Sequence, residues 1–166
     1  LVGTRHKLSN MSVTTLKLVE TSIPLVSVVK NLGVHIDNTL SMQTFTNSTT
    51  QSCYFHLRRI SSIRKYLTTE ATTKLVVSLI LSRFDYCNSL LFGLPSSTTQ
   101  NLQRIQNSAA RLILKKRKSA HITPLLSSLH WLPIRQRILF KFLVMVFKSV
   151  NNLAPSYLSD QLKPYM

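Results

Sequence analysis

The chain has 166 residues, 44% of them hydrophobic, which suits one domain of ordinary size with a real core and excludes a disordered basic tail. Its 21 Lys and Arg against 5 Asp and Glu give a formal charge of +16. A surplus that large seeks polyanions, nucleic acid first, because each neutralised phosphate releases condensed counterions. The acids Glu20, Asp37, Glu70, Asp85 and Asp160 are single and scattered, which weakens any reading as a self-sufficient two-metal polymerase or nuclease.

Residues 1–40 carry the extended pattern. Leu1 to Arg5 run straight into polar residues without a signal-peptide pattern, and a chain lacking an initiator Met is expected of a fragment. Val13 to Val19 and Leu25 to Val29 are rich in β-branched residues, with Pro24 and Asn31–Gly33 as punctuation before Val34–Asp37. Two or three short strands are predicted.

From Ser41 the period becomes helical. Phe45, Thr49, Cys53, His56, Ile60, Ile63 and Leu67 form one stripe, with Arg58, Arg59 and Lys65 largely off it. Thr68 or Thr69 caps a second helix with Glu70 in its first turn, its stripe running from Leu75 and Val76 through Phe84 and Cys87 to Leu91. Ser96 or Ser97 caps a third, through Leu102, Ile105, Ala109, Leu112 and Ile113 into a basic run. Pro133 opens a fourth, buried along Ile134, Ile138, Phe142, Met145 and Val146, and Pro155 closes it before a further turn or two over Tyr157 to Leu162. The expected fold is α+β, mainly α: a few N-terminal strands over 1–40, then a bundle of four or five helices over 41–166.

The richest apolar run, Ile138–Phe147, is about ten residues long and broken by Lys141, too short to span a bilayer. Cys53 and Cys87 have no metal spacing. They read as buried thiols in a reducing compartment, with a disulfide as the alternative.

The best candidate contact surface is the third helix. Arg104, Arg111 and Lys118 repeat every seven residues, with Asn107 and Lys115 between them, so they project from one side, opposite Leu102, Ile105, Ala109 and Leu112. Such a ladder tracks a phosphate backbone; the plainer reading is a solvated face favouring the negative end of the helix dipole. Arg58, Arg59, Arg64 and Lys65 are second choices, and Arg135, Arg137, Lys141 and Lys148 are weaker still. His35-Ile36-Asp37 has the spacing of two iron ligands of a facial triad, which would need His121 or His130 as well. Both those histidines read more simply as structural, with Trp131 burying its ring between helices. No catalytic or metal-ligating residue is assigned.

Several segments, in order, carry a resemblance. They are Ile23-Pro24-Leu25-Val26, Asn31-Leu32-Gly33-Val34 with Asp37 and Leu40-Ser41, the run Ser82–Leu91 (SRFDYCNSLL), Gly93-Leu94-Pro95, and Leu102–Leu112 (LQRIQNSAARL). His121-Ile122-Thr123-Pro124, Leu129-His130-Trp131-Leu132-Pro133 and Leu153–Leu158 (LAPSYL) follow. Together they resemble the reverse transcriptase of LINE-type, non-LTR retrotransposons. The resemblance implies the end of a polymerase palm over 1–40 and a thumb with its helical extension over 41–166. It implies contact with nucleic acid, as RNA–DNA hybrid or duplex with little sequence preference, in the nucleus or cytoplasm. The family's adjacent Asp pair is absent, so its Mg2+ site carries over to no residue; no cofactor and no polymerase activity are expected of this chain alone.

Residues around 37–85 are also similar to a segment named for the N-terminal region of an alkylated-DNA-repair dioxygenase. That family's iron and 2-oxoglutarate sites lie elsewhere. A further alternative is a non-catalytic helical remnant that interacts with proteins, or self-associates through an unpaired sheet edge over 13–36.

Overall fold

The computed structural model describes residues 1–10 and 14–162. Thr4 caps a short helix α1 (Arg5–Ser9). Two antiparallel hairpins follow: β1 (Thr15–Leu18) with β2 (Thr21–Pro24), and β3 (Val28–Asn31) with β4 (Val34–Asp37). The predicted start at Val13 lies outside the described residues. Among the described residues four strands thus stand where two or three were expected. Pro24 ends β2 instead of interrupting an extended run, a position that asks little of its missing N–H.

In the second hairpin Leu32 and Gly33 both hold positive φ, +46° and +83°, as a two-residue turn matched to strand twist requires. The Tyr86 hydroxyl donates to the Leu32 carbonyl, and β4 packs on the first long helix, which ties this hairpin to the bundle. Every residue of β1 and β2 is exposed.

The helices are α2 (Gln43–Ile63), α3 (Thr69–Val76), α4 (Ser82–Asp85), α5 (Ser96–Ile113), α6 (Ile122–Ser128), α7 (Ile134–Val150) and α8 (Ser156–Ser159). The chain is mainly α with short N-terminal strands, as its pattern predicts. Among the described residues seven helices follow the strands where four or five were expected, because the second predicted helix is interrupted and a short helix, α6, stands between the third and the fourth. α3 passes through a π turn at Val77–Leu81 into α4, and Cys87 then takes a left-handed conformation before a 3-10 turn at Asn88–Leu91. Thr68 caps α3 as predicted, its hydroxyl accepting from the Ala71 N–H at 3.1 Å. At α5 neither Ser96 nor Ser97 caps: the helix starts at Ser96 behind Pro95, whose carbonyl accepts the first bond, from Thr98 N–H.

The core is centred on Cys53, Val76, Ile80, Ile105, Ala109 and Ile113, all fully or almost fully buried. Trp131 packs against it. Two positions depart from the predicted stripes. Ile63 is 45% exposed while its neighbour Arg64 is 7% exposed, because the backbone leaves α geometry at Ile63 and enters a 3-10 turn, Arg64–Tyr66. Met145 faces out, and Ser149 takes the buried position beside it, donating to the Met145 carbonyl.

A polar network fixes α5 to α7. Buried Gln106 donates to the Leu132 carbonyl at 2.9 Å, and Gln103 accepts from the Ile134 N–H at 2.8 Å while donating to Gln106. A side-chain acceptor thereby serves one of the N–H groups that a helix start leaves unpaired. Asp85 closes the other side, pairing two-pronged with Arg137 at 2.5 and 2.9 Å.

Candidate nucleic-acid interface

Helix α5 ends earlier than its basic text suggests. Leu114 leaves the helix and Lys115 adopts φ +51°, so the Lys116 N–H turns back to the Arg111 carbonyl at 3.0 Å. That is the return bond of a left-handed helix stop, made here without glycine. Lys115 to Lys118 therefore leave the helix axis. The Arg111 guanidinium holds the far end of the loop by donating to the Ala120 carbonyl at 3.0 and 3.4 Å.

The result is a groove of about 690 Å³. Tyr54 lines it from α2; Arg104, Asn107, Ser108, Arg111 and Leu112 from α5; Lys115, Lys116 and Lys118 from the loop; Arg64 from below. Among the described residues no carboxylate lines it. The first-choice residues Arg104, Arg111, Lys115 and Lys118 are thus brought together, though by a curled loop and not by one straight helix face. A folded-back loop concentrates these charges, where a straight helix would spread them along its length.

Arg64 has a different task from a surface clamp. Its Nε donates to the Leu112 carbonyl at 3.0 Å, and its two terminal nitrogens donate to Leu67 and Ile113 at 2.8 and 2.9 Å. It satisfies orphan carbonyls at the end of α5 and offsets the negative end of the helix dipole. The groove's outer cations are then not needed for that purpose.

Arg58, Arg59 and Lys65 are exposed but do not line the groove. Arg59 lies over the Phe55 ring, 5.3 Å from its centroid, and the Lys65 ammonium over Tyr66 at 4.8 Å. Arg58 follows Tyr54 by four residues on α2, which places it on the same side of that helix. Sequence reasoning missed Tyr54 and Ser108. Their signal was register: Tyr54 four before Arg58, and Ser108 midway between Arg104 and Arg111.

Burial, then the charges of Arg83 and Arg59, hold the pKa of His56 below the usual value, and Arg83 stands 3.3 Å from its Nε2. Cys53 is a buried free thiol whose pKa burial pushes up to about 11; Cys87 is half-buried and also free. Among the described residues no three His, Cys, Asp or Glu side chains gather as metal ligands.

Asp37, one of the two candidate iron ligands, is committed to a turn. Its Oδ1 accepts from the Thr39 N–H, the Thr39 hydroxyl and the Ser41 N–H, and its Oδ2 from the Ser41 hydroxyl. Burial alone would raise its pKa, but these bonds outweigh burial and lower it to about 2 from 3.8. A depressed carboxylate pKa stabilises the fold above its unfolded value, and that share is lost as pH falls through the folded one. Between about pH 4 and 2 the wild type loses stability that an Asp37→Asn variant, already deprived of it at neutral pH, has no longer to lose. Acid titration of thermal unfolding for the two proteins checks this; parallel curves contradict it.

Among the described residues no helix is long and apolar enough to cross a membrane. No family model matches the chain, and neither a curated protein nor a solved structure is significantly similar to it.

Proposed function

We propose that the chain holds nucleic acid by its phosphates, in the groove between α2, α5 and the Lys115–Lys118 loop, as the palm edge and thumb of a LINE-type reverse transcriptase. One observation carries this reading: five exposed or half-exposed cations converge on one groove that no acid lines among the described residues, while Arg64 separately serves the helix end. Flexible Lys and Arg side chains beside Asn107 and Ser108 suit phosphate oxygens and carry no fixed base-reading geometry. Asp37, Asp85 and Asp160 stand apart in sequence, so the chain is proposed to bind within the cell and not to polymerise. The test compares an RNA–DNA hybrid with duplexes of unrelated sequence. Affinities within about threefold of one another support backbone holding; discrimination of about a hundredfold between sequences of one duplex type, or no binding, overturns it.

A second reading rests on the first hairpin. β1 and β2 are exposed throughout, with Leu16, Leu18 and Ile23 outward and their outer edges unpaired among the described residues. Such edges template pairing with another chain. Light scattering of the purified protein decides: a monodisperse monomer argues against self-association.

A further inference from the structure

Helix α7 has two apolar sides. Ile134 and Ile138 enter the core, while Phe142 stacks on Phe92 with ring centroids 4.0 Å apart. At 3.6 residues per turn, Leu139, Phe140, Leu143, Phe147 and Val150 fall on the far side. All five are exposed, Phe140 and Phe147 at 58% and 61%. Single exposed leucines are ordinary; five large apolar side chains in one stripe along a helix mark an interaction surface.

The edges of the stripe are basic. Lys141 and Lys148 flank one side, where Arg137 is already closed by Asp85, and Arg135 stands on the other. Arg135 and Leu139 also line a recess of about 330 Å³ with Leu91, Phe92, Leu94 and Ile138. The stripe therefore continues into a pocket for an apolar anchor, framed by a cation.

We propose that this face docks an acidic amphipathic helix of another protein. Its apolar ridge would lie along Leu139, Phe140, Leu143, Phe147 and Val150, one side chain entering the recess, with Asp or Glu opposite Arg135, Lys141 and Lys148. A second copy of this chain matches poorly, since it brings the same +16 and sets like edges against each other.

The probe is a fluorescent amphipathic peptide matched in length to α7, with a leucine stripe and Glu flanks, and twins carrying Gln or Lys instead. Fluorescence anisotropy against the 166-residue protein should show the Glu peptide binding at least about tenfold tighter than the Gln twin. Leu143→Ser or Phe147→Ser should weaken it by about tenfold or more, with unchanged helicity because both side chains are exposed. The groove variant Arg104→Ala/Lys115→Ala/Lys118→Ala should bind it as the wild type does. Binding lost in that groove variant, or insensitive to Phe147→Ser, overturns the proposal. So does absence of peptide binding, whether the face instead holds phosphatidylglycerol vesicles or drives a dimer that Leu143→Ser abolishes.

Discussion

Replacing Arg64 with Lys is expected to lower the unfolding free energy by about 2–4 kcal/mol, a fall in Tm of roughly 5–15 °C for a chain of this size. The charge survives that substitution, but the geometry does not. The guanidinium reaches the carbonyls of Leu67, Leu112 and Ile113 from three nitrogens held in one plane. An ammonium is a point donor and cannot serve three acceptors so placed. Buried carbonyls left unpaired cost their desolvation, and a cation buried without its full set of partners costs more. Arg64→Met should be at least as damaging. Were Arg64 a solvent-facing phosphate clamp, the Lys variant would change stability by no more than about 0.5 kcal/mol. Thermal unfolding followed by circular dichroism separates these outcomes.

The second large effect is expected at the groove. Substituting Arg104, Lys115 and Lys118 together by Ala should make the salt slope of log affinity shallower by about 2 to 3, since each phosphate contact contributes close to −0.9 on a B-form duplex. None of the three is buried, so the fold should stand. Arg104 makes one long bond, to Asn101 at 3.3 Å, and losing it is a surface event. Arg111 is a less clean target because it also pins the loop through the Ala120 carbonyl; its substitution should loosen the loop and weaken binding beyond one contact. An unchanged slope in the triple variant would remove these residues from the contact list.

Much of the bundle is written in plain periodicity. Leu102, Ile105, Ala109 and Ile113 recur at helical steps, and all are buried. Thr68 signals its cap in the usual way, by a hydroxyl three residues before the N–H it accepts from. What periodicity hid were backbone departures without glycine or proline to mark them. The π turn at Val77–Leu81 lies in text that is apolar but for Ser78, where several registers look buried; the hydroxyls of Ser78, within the turn, and Ser82, just after it, donate to carbonyls four residues back.

The end of α5 was hidden in the same way. Lys115 takes a left-handed conformation that lysine rarely marks, so the basic run read as one continuing helix. The candidate residues were nevertheless legible, because charge excess is a property of composition, whereas their convergence depends on that single turn. Arg64 was misread because charge argues for the surface, and only tertiary structure shows the three carbonyls that hold it inside. The exposed stripe of α7 was hidden differently: the run Ile138–Phe147 is apolar almost throughout, so a buried side could be drawn along Ile134, Ile138, Phe142, Met145 and Val146 while Phe140, Leu143 and Phe147 drew no notice as a second face.

The most direct test is the affinity of the 166-residue chain for a short RNA–DNA hybrid between about 50 and 200 mM salt, with helicity followed in the same buffer. Five contacting cations, Arg104, Arg111, Lys115, Lys116 and Lys118, predict a slope of about −4.5 and a loss of roughly 500-fold across that range. A helical protein that binds with a slope near zero, or does not bind at all, would contradict the assignment of this groove to phosphates.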